Sequence, residues 1–251
     1  MAPGVVRIPR RRPTARAGSA ALARVLGALS LRRIAGDTTR LLAPARARHH
    51  RHLRPLATYP GAVPGLAGVI LAGGRGARYG GPKALAHLPD GRTFLAACAD
   101  CLVAAGARPI VATLPPGITV PDDSRLVSVT LPSADLAMFD SLRLGLQRAL
   151  ADADWTAVVL LPVDHPLVAS PTIAALAAAA VPAAIPSYRG KHGHPVMLTR
   201  PLAAGIARGA LTGPTLREVL REAGAAYVAV EDPGVIANCN TPEALAAALN
   251  R

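Results

Sequence analysis

The usual marks of a membrane, secreted or zinc-bound protein are missing from this chain of 251 residues. No apolar stretch combines the length of a bilayer span with clean flanks, and no secretory pattern opens the chain, so a soluble cytoplasmic protein is expected. Cysteine is scarce, at three residues. Cys98 and Cys101 form a Cys-x-x-Cys pair, but no second pair completes a four-ligand zinc set. The pair also lies in 93–105, which reads as a helix with Phe94, Leu95, Cys98, Cys101 and Leu102 on one face, so a place in the core is expected. Internal repeats are absent as well.

Acidic residues are few in one particular place. Residues 1–60 hold 13 of the 28 basic residues and one of the 15 acids, Asp37, so they carry +12 of the net +13 and leave the rest at +1. A nucleic-acid role would therefore rest on this segment alone, and no specific nucleic-acid partner is expected for the body. Residues 1–64 read as a separate arm rich in Arg, Ala and Pro. A basic amphipathic helix is conceivable over 14–35, where Leu22, Val25, Leu26 and Leu29 recur at helical spacing. A transit peptide and upstream sequence read from a wrong start compete with the favoured reading, a dispensable and mostly disordered arm. His49, His50 and His52 near its end lack a Cys or acidic partner and read as compositional bias.

From 65 to 251 the pattern is that of one domain. Strands are expected near 67–71, 109–112, 126–130, 157–163, 183–185 and 226–230, with helices near 93–105, 140–150, 171–180, 201–208 and 215–223. This alternation predicts an α/β fold, a largely parallel sheet with helices on both faces. Ser170-Pro171 and Thr241-Pro242 are good helix openings, a capping hydroxyl followed by a proline whose missing N–H costs nothing there.

In such a sheet, ligands bind beyond the carboxyl ends of the strands. The apolar run at 69–72 breaks there into a loop with Gly73, Gly74, Gly76, Gly80 and Gly81 and the cations Arg75, Arg78 and Lys83. Glycines let backbone N–H groups approach anionic oxygens, and cations offset their charge, which points to a polyphosphate cradle. The competing reading is a plain glycine turn with solvated cations. A Walker loop does not fit, because Pro82 separates Gly81 from Lys83 and Ala84 follows; a dinucleotide fingerprint would need glycine at Tyr79. Asp164 ends the apolar run 160–163 and is placed to hold Mg²⁺, although Asp-His-Pro is also ordinary turn chemistry.

Leu71-Ala72-Gly73-Gly74-x-Gly76-x-Arg78 with Lys83, then Asp164-His165-Pro166, Gly193-His194-Pro195-Val196 and Asn238-x-Asn240-Thr241-Pro242-Glu243 occur in that order. Together they resemble the nucleotidyltransferases that attach CMP or GMP to molybdopterin, over about 66–250. The resemblance implies a three-layer α/β/α, Rossmann-like, glycosyltransferase-A-like fold with a mostly parallel mixed sheet. It places the triphosphate on Gly73, Gly74, Gly76, Arg78 and Lys83, with Leu71 and Ala72 beside the base. Arg78, Lys83 and Asp164 become the catalytic set, Asp164 with Asn240 and Asn238 the Mg²⁺ site, and Ser141, Arg143 and His194 the acceptor side. By itself Gly-His-Pro reads equally as a strand-entry turn.

The implied reaction moves CMP or GMP from CTP or GTP to a phosphorylated acceptor, foremost molybdopterin, with release of pyrophosphate and a molybdoenzyme as an implied partner. The base stays open. Asn238-x-Asn240 and the Leu-Ala-Gly-Gly opening lean toward guanine, where cytidylyltransferases carry Asp-x-Asp. Ser141-Leu142-Arg143 and Gly-His-Pro-Val lean toward cytidine. A sugar-phosphate nucleotidyltransferase and a non-catalytic nucleotide-binding accessory protein of molybdoenzyme maturation are the alternatives.

Overall fold

The computed structural model describes residues 63, 65–151, 154–211 and 215–250. Apart from Val63, the arm assigned to 1–64, including the 14–35 segment and the histidine cluster, lies outside the described residues. The chain runs β1 (Leu66–Leu71), α1 (Phe94–Ala104), β2 (Ile110–Leu114), β3 (Leu126–Thr130), α2 (Met138–Ala151), β4 (Ala157–Pro162), α3 (Ser170–Ala178) and β5 (Ala183–Tyr188). It continues through β6 (Lys191–His192), β7 (Val196–Thr199), α4 (Arg200–Ala207), α5 (Leu216–Glu222), β8 (Ala226–Ala229) and α6 (Pro242–Leu249).

Eight strands form one sheet in the order β3-β2-β1-β4-β7-β5-β6, with β8 added to β5. β1 to β4 are mutually parallel, as are β5 and β8, whereas β7 runs antiparallel between β4 and β5. Side-chain alternation along the strands splits the core in two. Leu66 and Ile70 of β1 and Val159 and Leu161 of β4 meet Phe94, Leu102, Ile173 and Leu176, while Val69, Val158 and Leu160 meet Leu142, Leu146, Leu202 and Ile206. Helices α1, α3 and α6 thus cover one face and α2, α4 and α5 the other, the expected three layers. Burial on both faces is why β1 and β4 read as unbroken apolar runs. Glycine lets helices approach closely: a Cβ on Gly145 would stand 2.7 Å from Val69 Cγ1.

β6 and β7 were not expected as strands. They are two short antiparallel strands separated by Gly193-His194-Pro195, each too brief for a period-two pattern to register. The opening of α3 also differs. Its cap position is Ala169, not Ser170; no side chain of its own caps it, and Asp232 accepts the Ala169 N–H at 2.9 Å from across the sequence. Thr241 does cap α6, accepting from Ala244 N at 3.2 Å. Cys98 is buried on the inner face of α1 and Cys101 is partly buried beside it, both as free thiols, in keeping with the core reading. No helix among the described residues is long and apolar enough to cross a membrane.

Candidate active site

Leu71 and Pro162 are register partners at the ends of β1 and β4, so the loops that follow leave the sheet side by side. Ala72 N–H bonds to Thr113 O at 3.1 Å and Val163 N–H to Leu71 O at 3.0 Å, which fixes both exits. Gly76 O then accepts from Tyr79 N at 2.8 Å and Gly81 N at 3.2 Å, closing the glycine loop on itself. Gly76 has φ 64°, and a Cβ there would lie 1.8 Å from Gly81 O, so only glycine fits. Gly73 backs onto Leu131 and Ser141; a Cβ would meet Leu131 Cδ1 at 2.2 Å. Gly74 and Gly81 face open space. Arg78 stands exposed on the short 3₁₀ turn Ala77–Tyr79, whereas Arg75 is tied to Asp135, its Nε donating at 2.7 Å.

The loop ends by delivering Lys83 to the neighbouring strand end. Its Nζ donates to Asp164 Oδ2 at 3.1 Å and, in a short contact, to Asn240 Oδ1. Lys83 and Asp164 retain only 17 % and 20 % side-chain exposure, so this pair is largely withdrawn from solvent. The backbone stitches the third segment on as well: Cys239 N–H donates to Asp164 O at 2.8 Å. Three motifs spread over 157 residues of sequence thereby converge on one ammonium.

A cavity of about 1050 Å³ adjoins this clasp, lined at one part by His165, His194 and Asn238. Gly193 N–H donates to Pro186 O at 3.1 Å and His194 N–H to Val235 O at 2.9 Å, which aims the Gly-His-Pro excursion at the 233–236 turn. The two imidazoles lie 4.8 Å apart. Burial, with His165 alongside, holds His194 down to about 4, and burial likewise lowers His165, so both are neutral at physiological pH. His194 Nδ1 is buried without a hydrogen-bond partner among the described residues. The thiols offer no nucleophile: burial raises Cys101 to about 12 and Cys239 to about 11, and lifts Cys98 well above its usual range.

Among the expected site residues, the fold brings together Lys83, Asp164 and Asn240, with the glycines, Leu71 and Ala72 on one side and Asn238 and His194 on the other. Ser141 is buried behind Gly73 and donates to Ala137 O at 3.3 Å. Arg143 is set apart: two positions along α2 it points elsewhere, into a separate cavity shared with Gln147, Arg200 and Arg208. Sequence reasoning gave no role to His165, nor to Lys191, Arg217, Arg221 and Tyr227, which line the large cavity from three elements and share no local motif. Asp232 was also missed. It is buried and accepts from Ala169 N, Thr172 Oγ1 at 2.6 Å and Gly234 N at 2.8 Å, pinning the 233–236 turn to the start of α3.

Residues 68–229 match the MobA-like NTP transferase domain. The chain belongs to that family. A probable molybdenum cofactor guanylyltransferase of Rhodopirellula baltica is 35 % identical over 113 residues, 42 % of this chain and 51 % of that protein, so the chain spans about half the length of this curated relative. The Mycobacterium tuberculosis H37Rv protein Rv0371c, solved in complex with manganese, is 26 % identical over 74 % of this chain and 98 % of its own, with a TM-score of 0.56. A 2-C-methyl-D-erythritol 4-phosphate cytidylyltransferase from Thermus thermophilus shares the fold at 20 % identity and a TM-score of 0.52, covering 72 % and 96 % of the two chains. The fold is that of the glycosyltransferase-A-like nucleotidyltransferases.

Proposed function

We propose that this chain is a magnesium-dependent nucleotidyltransferase that moves a nucleoside monophosphate from CTP or GTP to the phosphate of a molybdopterin-type acceptor, releasing pyrophosphate. The observation that carries the reading is the Lys83 ammonium clasped between Asp164 and Asn240 at the foot of the glycine loop. A carboxylate and an amide carbonyl are hard oxygen donors, and they already hold one cation between them, so the residues fit Mg²⁺. When bound there, the metal would supply charge neutralisation at the reacting phosphate oxygens. The manganese complex of Rv0371c supports a divalent ion in this fold.

The protein's own share of the chemistry is positioning and electrostatics. The self-closed glycine loop presents backbone N–H groups to the triphosphate, and exposed Arg78 adds charge at its outer side. Lys83, released from Asp164 and Asn240, reaches the phosphates and offsets charge on the leaving pyrophosphate. The acceptor's phosphate oxygen is itself the nucleophile, so neither His165 nor His194 has to remove a proton. As neutral groups they offer hydrogen bonds beside the clasp without adding charge. Asn238-x-Asn240 and the Rhodopirellula relative favour GTP over CTP. The deciding experiment incubates the protein with Mg²⁺, metal-loaded molybdopterin and each nucleoside triphosphate in turn. Pyrophosphate and a guanylylated product are expected with GTP; no product with any of the four sinks the proposal.

A further inference from the structure

The glycine loop carries three cations, and the fold treats each differently. Lys83 is drawn into the clasp, Arg78 stands exposed, and Arg75 is held by a carboxylate from another part of the chain. Arg75 Nε donates to Asp135 Oδ1 at 2.7 Å, and Nη2 meets Oδ2 in a short contact, the forked geometry of a guanidinium on a carboxylate. Asp135 lies between β3 and α2 and is itself set in place, its N–H donating to Ser133 Oγ at 3.1 Å. Both ends of that segment are anchored behind the loop. Leu131 is buried and would stand 2.2 Å from a Cβ on Gly73, and Ser141 of α2 backs the same glycine. The carboxylate is therefore presented to Arg75 from a fixed base. The two side chains are nevertheless 64 % and 67 % exposed, so water screens the pair and it adds little to stability. A tie of this kind is readily exchanged for a stronger anion.

We infer that Asp135 is the resting counter-ion of Arg75 and a positioning residue for it: a triphosphate on the glycine loop takes the guanidinium from the carboxylate, so Asp135 opposes nucleotide binding and makes it depend on the charge of the phosphates. This rests on the reading of the glycine loop as the triphosphate cradle. Arg75 stands between Gly74, which faces open space, and Gly76, whose carbonyl is fixed by Tyr79 N–H and Gly81 N–H. The exchange thus needs a side chain to turn and leaves the closed loop as it is. A polyphosphate offers the same forked acceptor as a carboxylate and carries more charge, which decides the competition in its favour. A single phosphate lacks that advantage. Arg78, three residues on, has no ion pair among the described residues, so the competition is particular to Arg75.

A double-variant cycle in calorimetry tests this with full-length protein and Mg²⁺, comparing wild type, Asp135→Asn, Arg75→Gln and the two changes combined. Asp135→Asn is expected to tighten GTP by about three- to fivefold, the yield of one exposed ion pair removed from competition, and to leave GMP as in wild type. Arg75→Gln weakens GTP by a similar factor. In the Arg75→Gln background the Asp135 change has no further effect, because no guanidinium is left to release; a purely structural role for Asp135 would show there undiminished. Unchanged or weaker GTP binding in Asp135→Asn, a gain that survives in the Arg75→Gln background, or an equal gain for GMP overturns the competition. If GTP fails to bind wild type as well, the cradle reading itself is what fails.

Discussion

The Lys83 side chain does two incompatible things, which makes it the most informative single residue. In the nucleotide-free protein it shares Asp164 and Asn240 with any incoming cation. Lys83→Ala should therefore tighten Mn²⁺ binding in the absence of nucleotide, measured by electron paramagnetic resonance, while turnover falls for want of a phosphate contact. Unchanged or weaker Mn²⁺ binding would show that the ammonium and the metal do not compete. Asp164→Asn should cut turnover on the order of a hundredfold or more and raise the metal concentration needed, because it removes the carboxylate of the set; near-normal turnover would sink the metal assignment. His194 gives a different test. Its folded-state value of about 4 lies below the ordinary 6.5, and the unfolded chain binds the proton more readily. Stability is thus fully present above pH 6.5 and drains away as pH falls toward 4. His194→Gln should flatten melting temperature over that window; a slope identical to wild type would assign the effect elsewhere. Asp164 and His165 are the neighbouring groups, and His165 is displaced in the same direction.

At the level of elements, the strand-end logic was legible. β1 and β4 show as apolar runs, and the sequence alone places Gly73 to Lys83 and Asp164 at their carboxyl ends, because those positions follow from period and from the breaking of an apolar run. What stayed hidden depends on pairing between distant segments. The Gly193-His194-Pro195 break between two short antiparallel strands cannot be seen in four residues of Val-Met-Leu-Thr, and nothing local to Asp232 shows that it accepts from the start of α3, 63 residues away. Gly193 shows what such pairing requires: a Cβ there would stand 1.9 Å from Val235 O. Gly193→Ala should push the 233–236 turn away and drag Asn238 to Asn240 off Asp164. A destabilisation of about 1–3 kcal/mol by denaturant unfolding, with activity lost out of proportion, is expected. Retained activity in a stably folded variant would mean that the turn yields without moving the clasp. Arg143 marks the opposite limit. It belongs to a matching motif, yet in the fold it lines a cavity with Gln147, Arg200 and Arg208, a grouping that the motif by itself does not indicate.

For the molecule as a whole, charge is the property that divides it. Residues 1–60 carry +12 of the net +13, while every motif of the site, both core clusters and the whole sheet lie in the nearly neutral remainder. Hydrophobic burial scales with the apolar area enclosed, and among the described residues that area is built from Val63 onward. Electrostatic attraction to a polyanion instead scales with the number of cations brought to its phosphates and weakens with salt. The two properties therefore separate on cutting the chain. A protein lacking 1–60 should show an unchanged unfolding midpoint and unchanged GTP affinity, and any binding of the full chain to DNA or RNA should be strongly salt-dependent and vanish with the truncation. Aggregation of the truncated protein, or a drop in GTP affinity, would show that the first 60 residues contribute to the folded body. Nucleic-acid binding that survived the cut would show that cations of the body take part in it.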